Sequence, residues 1–69
     1  MADVHAPTVL VVEDEHELRA LIVEALEKEG FVVAQSATGA DATERLRGFA
    51  YDGLIVDLGL PDMDRHGHP

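Results

Sequence analysis

The stretch TVLVVEDEHELRALIVEALEKEG, residues 8–30, changes its hydrophobic period partway along. Thr8 to Val12 is an apolar, β-branched run without alternation. Such a run predicts a strand buried on both faces, as in a parallel sheet whose crossover helices cover both sides. From Leu18 the period is helical. Leu18, Leu21, Ile22, Ala25 and Leu26 recur at i, i+3, i+4, i+7 and i+8, which places them on one stripe. Glu13, Asp14, Glu15 and Glu17 crowd the start of that helix, where negative charge suits the macrodipole. Lys28 falls in the last turn, and Gly30 is placed for a left-handed C-cap.

Working outward, FVVAQ at 31–35 reads as a second short strand. Thr38 with Asp41 three residues later resembles a capping box, Asp replacing the usual Glu. A weaker helix then runs to about Arg47, with Ala42 and Leu46 inward and Gly48 as its stop. YDG at 51–53 is a turn, and LIV at 54–56 is a third strand. The order β-α-β-α-β with short loops predicts an α/β fold, a parallel sheet joined by right-handed crossovers. Residues 1–7 read as a loose leader ending at Pro7. The last residues, MDRHGHP, do not continue the pattern, and 65–69 read as a tail.

The chain has 69 residues and no cysteine. A domain of about this size buries only roughly 60% of the surface its unfolded chain exposes, so its core is marginal. No disulfide or thiolate metal site staples it. Fourteen Asp and Glu stand against five Lys and Arg, a net charge of −9. That balance repels phosphate backbones and anionic membranes, which argues against nucleic acid or a membrane as a partner of this chain. The N-terminus lacks a basic n-region, and its apolar run is too short for a signal peptide or a membrane span. A cytoplasmic protein is expected.

The second informative stretch is GLIVDLGLPDMD, residues 53–64. An apolar strand ends on Asp57 with no cationic residue within three positions. In open parallel sheets, ligands bind beyond the carboxyl ends of the strands, where the strand order switches. Glu13 and Asp14 follow the first strand and Asp57 ends the third. If those strands are neighbours, three carboxylates converge and their mutual repulsion raises some pKa values. A cation removes that penalty, and an all-oxygen set selects a hard ion such as Mg²⁺. A carboxylate beside such an ion can act as a nucleophile toward phosphorus.

VLVVEDEHELR and LIVDLGLPDMD resemble the first and third strand motifs of response-regulator receiver domains of bacterial two-component signalling. SATGADATERL is similar to the family's second helix, with Gly39 and Ala42 in the expected places. The resemblance covers residues 8–64. It implies a partial flavodoxin-like, doubly wound parallel sheet of order 2-1-3. It also implies Asp57 as phosphoacceptor, a phosphohistidine kinase or phosphotransfer protein as donor, and a signalling role rather than an enzyme. It implies Mg²⁺ held by Asp14 and Asp57 with the backbone carbonyl of Gly59, and Glu13 acting mostly through water. The pattern departs from the family after the third strand. Arg65 stands where the family has Gly, HGHP replaces the next helix, and the fourth-strand Ser or Thr and fifth-strand Lys have no counterpart, as in a truncated receiver.

Blander readings stand beside these. Asp57 also suits a turn or helix cap after a strand. Glu13 and Asp14 also suit a helix N-terminus. His66 and His68 flank Gly67, an H-x-H pair able to hold Zn²⁺ but expected in a solvated tail. His5 and His16 read as surface residues. An alternative function is an incomplete receiver fragment acting only through self-association or a partner, because the third strand is short, apolar and uncharged. A phosphatase with an Asp nucleophile is disfavoured by Gly59, where such sites carry a second Asp. A Rossmann unit is disfavoured by VVEDEH in place of a Gly-rich turn.

Overall fold

The computed structural model describes residues 6–57. Three strands and two helices follow one another: β1 (Thr8–Val12), α1 (His16–Lys28), β2 (Val32–Ser36), α2 (Gly39–Gly48) and β3 (Gly53–Val56). The sheet is parallel and ordered β2-β1-β3, so the first strand is central. This is the expected α/β architecture, part of a flavodoxin-like sheet.

β1 is central because its residues are apolar on both faces. Val9 and Val11 pack under α1 with Val23, and Ile22, Leu26, Phe31 and Val33 close round them. Leu10 and Val12 face the other way and pack with Ala42 of α2, Ala34 and Tyr51. The helices therefore lie on opposite faces, as right-handed crossovers in opposite directions require. Leu10 and Val11 are the largest fully buried side chains.

The turns are specified locally. Gly30 has φ 98°, its N–H donates to Glu27 O (3.0 Å), and the Phe31 N–H donates to Leu26 O (3.1 Å). That pair of bonds is a Schellman stop, with Phe31 folding back toward Leu26 in the same cluster. Only half of the expected capping box forms at α2. Thr38 Oγ1 accepts the Asp41 N–H at 3.0 Å, but the Asp41 carboxylate turns to Ser36 Oγ (2.6 Å) and Arg45 Nε (3.0 Å). Aspartate is one methylene short for the return bond, and a buried hydroxyl offers it a nearer donor. The Ser36 hydroxyl, and then Arg45, hold the Asp41 carboxyl below its usual range.

Several details differ from the sequence reading. β2 starts at Val32 and ends at Ser36, one residue later than expected, because Phe31 is spent on the helix stop. On α1 the buried residue is Val23, while Leu21 is 62% exposed and Ala25 is also exposed. The sheet beneath α1 is narrow, and it covers only one side of the stripe. Leu46 of α2 is exposed for the same reason. The YDG turn does more than reverse the chain. Asp52 N–H donates to Thr8 O and Asp52 Oδ2 accepts the Thr8 N–H, both at 2.7 Å. The pair latches β3 to β1 at their N-terminal ends.

This distribution of burial predicts opposite outcomes for two leucines. Leu10→Ala should cost about 3 kcal/mol, because a fully buried side chain leaves a cavity. Leu21→Ala should change stability by less than about 0.5 kcal/mol. Urea unfolding followed by circular dichroism measures both, and equal losses would contradict the packing.

Candidate functional site

The parallel register decides which side chains meet at the C-terminal end of the sheet. Val12 is paired with both Ser36 and Val56. One residue further, the Glu13 N–H donates to Ser36 O (3.0 Å) and the Asp57 N–H donates to Val12 O (3.2 Å). Glu13 and Asp57 are thus the next residues on adjacent parallel strands, and residues so matched project to the same side of a sheet. Asp14 follows on the turn into α1 and is exposed, whereas Asp57 is half-buried.

Glu13 is 2% exposed, an unusual position for a carboxylate. Its Oε2 accepts the Glu15 N–H at 2.8 Å, which ties the turn together. Its Oε1 is buried and receives no hydrogen bond among the described residues. The Asp57 carboxyl against it raises the Glu13 pKa above the ordinary value. Burial and the neighbouring Asp14 carboxyl push the same way, and the Glu15 N–H opposes them. Two ionised carboxylates cannot donate a hydrogen bond to each other. The contact is comfortable only when one holds a proton or a cation lies between them.

All three expected carboxylates therefore gather at one edge of the sheet. Gly59, Arg65, His66, His68 and His5 lie outside the described residues. Among the described residues no three His, Cys, Asp or Glu side chains form a ready-made metal cage. The orphaned Glu13 oxygen beside a second carboxylate nevertheless fits a hard cation, which commonly takes one or two carboxylates and completes its shell with water. Arg19 of α1 is the feature the sequence reading missed. Its Nη1 donates to the Glu13 carbonyl at 2.8 Å, its Nε donates to Gln35 Oε1 at 3.2 Å, and its Nη2 lies 3.3 Å from His16 Nδ1. No sequence pattern announces a guanidinium bound to a main-chain carbonyl six residues earlier.

Comparison with known proteins agrees with this geometry. The response regulator receiver domain family matches residues 9–67, nearly the whole sequence. The chain belongs to that family. It is similar to the response regulator receiver protein CpdR of Brucella abortus, 39% identical over 56 residues, which are 81% of this chain and 47% of that protein. It is also similar to the transcriptional regulatory protein TcrA of Mycobacterium tuberculosis, 41% identical over 81% of this chain and 22% of that protein. The transcriptional regulatory protein SrrA of Staphylococcus aureus is 36% identical over 81% of this chain and 23% of that protein. The chain thus spans about half the length of the first relative and less than a quarter of the others. No solved structure matches significantly. Receiver domains are signalling modules of two-component systems. Among the described residues of this receiver domain no helix is long and apolar enough to cross a membrane.

The Glu13–Asp57 contact has a pH signature. Unfolded, Glu13 has its ordinary pKa; folded, the value is raised. Between the two the native state binds the extra proton, so stability falls as pH rises through that window and the penalty persists above it. Glu13→Gln should raise the melting temperature at neutral pH, and the gain should vanish below about pH 4, where the carboxyl is protonated in both states. Thermal melts across that range measure it. No gain at neutral pH would mean that the two carboxyls do not burden the fold.

Proposed function

We propose that this receiver domain takes a phosphoryl group from a phosphohistidine onto Asp57, with Mg²⁺ held at the acidic end of the sheet. One observation carries the reading: a buried Glu13, with one oxygen that receives no hydrogen bond among the described residues, stands beside the Asp57 carboxyl because the β1–β3 register matches the two positions. Asp14, Asp57 and the Gly59 carbonyl would hold the ion, and Glu13 would act mainly through its water. Bound there, the ion offsets the negative charge on the phosphoryl oxygens.

The residues of the chain do the rest. Asp57 is half-buried at a strand end, so its carboxylate is held in one place yet open to a donor. In the transfer, an Asp57 carboxylate oxygen forms a bond to phosphorus. The phosphorus–nitrogen bond of the donor breaks, and its imidazole leaves with a proton from solvent. Glu13 stays beneath, its Oε2 anchored on the Glu15 N–H, so that the acidic floor does not shift. The chain is an acceptor that receives one group, not a turnover enzyme. Its donor is a sensor histidine kinase or a phosphotransfer protein, and its setting is the cytoplasm. The net charge of −9 makes nucleic acid an unfavourable partner for this stretch.

A second reading is favoured by β3, where Leu54, Ile55 and Val56 are 50%, 36% and 42% exposed. An apolar strand so exposed suits association with a second copy or another chain. Light scattering over a dilution series tests it, and a constant monomer mass would exclude self-association.

The main reading is tested with phosphoramidate, which carries the phosphorus–nitrogen bond of the natural donor. The chain should gain the mass of one phosphoryl group, released by hydroxylamine as an acyl phosphate is. Asp57→Asn should reduce labelling at least about 100-fold, and chelating the divalent ion about tenfold or more. Labelling that survives Asp57→Asn would overturn the assignment.

A further inference from the structure

We infer that Arg19 is the positioning residue of the acidic turn, holding Glu13 and Asp14 in the arrangement that binds a divalent cation. This rests on the metal role proposed above. The guanidinium makes three contacts, none of them to a carboxylate: Nη1 and Nε donate to the Glu13 carbonyl (2.8 Å) and to Gln35 Oε1 on β2 (3.2 Å), and Nη2 lies 3.3 Å from His16 Nδ1 on α1. It therefore ties the β1–α1 turn to both neighbouring elements. The Glu13 carbonyl belongs to the peptide that links Glu13 to Asp14. Fixing that oxygen fixes the rotation of the peptide, and with it the directions from which both side chains leave the backbone.

The choice of a guanidinium follows from the geometry. A planar fork with several donors can serve Nη1, Nε and Nη2 contacts at once; an ammonium is a single point donor on a flexible stem. A carboxylate bonded to Arg19 would be lost to a cation, whereas a carbonyl bonded to Arg19 leaves the acids unspent. Glu13 keeps a free oxygen although a cationic residue lies within one hydrogen bond of its own backbone.

Charge alone and positioning predict opposite signs. Removing a positive charge close to a cation site should tighten Mg²⁺ binding by Coulomb's law. Removing the residue that sets the turn should loosen it, and groups that orient metal ligands are typically worth about 10- to 100-fold in affinity. The experiment is an amide NMR titration of the whole chain with MgCl₂, on the wild type, Arg19→Gln, Arg19→Lys and Thr38→Ala. Thr38→Ala loses a helix cap on α2 and serves as a control for stability, with Mg²⁺ affinity unchanged. The expected result is binding at least about tenfold weaker in both Arg19 variants, since the lysine keeps the charge but not the fork. Amide exchange of Glu15, whose N–H is bonded to Glu13, should also quicken in both without any metal present. Unchanged or tighter Mg²⁺ binding in Arg19→Gln, full rescue by Arg19→Lys, or unchanged Glu15 exchange would overturn the positioning role. A wild type with no saturable response to Mg²⁺ would instead overturn the metal site, and the inference about it would fall with it.

Discussion

The register of β1 against its two neighbours is the constraint on which the rest depends. β1 is paired along its whole length with β2 and from Val9 to Val12 with β3. Both its faces are covered, so a slip of one residue would exchange Leu10 and Val12 for Val9 and Val11 under the wrong helices. The Asp52–Thr8 latch defines one end of the β1–β3 pair and the Asp57 N–H to Val12 bond the other. Packing in the core thereby decides which carboxylate stands beside which at the sheet edge. A buried apolar strand is what makes an exact acidic juxtaposition reproducible in so small a domain.

That juxtaposition runs against stability. Two neighbouring carboxyls, one of them almost fully buried, repel each other when both are ionised, and the proton affinity of Glu13 rises. The surrounding structure offsets this with bonds that do not neutralise it. The Glu15 N–H donates to one Glu13 oxygen, the Ser36 and Val12 carbonyls accept the Glu13 and Asp57 N–H groups, and Arg19 donates to the Glu13 carbonyl. Local conflict of this kind, within an otherwise consistent fold, is the pattern expected at functional or strained positions.

The central place of β1 was implied by the family resemblance, whereas the order of elements, the Gly30 stop and the acidic residues at the strand ends were legible in the residues themselves. They rest on period, turn chemistry and strand-end position, which act locally. The exposure of Leu21 and Leu46 was not legible. A period shows which residues share a face, but not whether another element covers it. The burial of Glu13 was also hidden, because composition rules place carboxylates outside and only the ladder bond to Ser36 carries this one inward. Arg19 read as one more charge on a polar helix face. Its contacts join three elements, and nothing in a linear pattern encodes them.

The cations of this acidic chain are placed with evident consequence. Arg45 and Arg47 form ion pairs with Asp41 and Glu44 on α2. Both pairs are solvent-exposed, and such pairs contribute little to stability. They do, however, keep those guanidinium groups on the helix surface. Among the described residues Arg19 approaches the acidic end of the sheet, and its contacts run to a carbonyl, an amide and an imidazole. Had it reached the Glu13 carboxylate, its charge would oppose the rise in Glu13 proton affinity. Arg19 is thus bonded to the backbone of this turn, while one Glu13 oxygen receives no hydrogen bond among the described residues, an arrangement that the proposed phosphoryl chemistry at Asp57 would draw on.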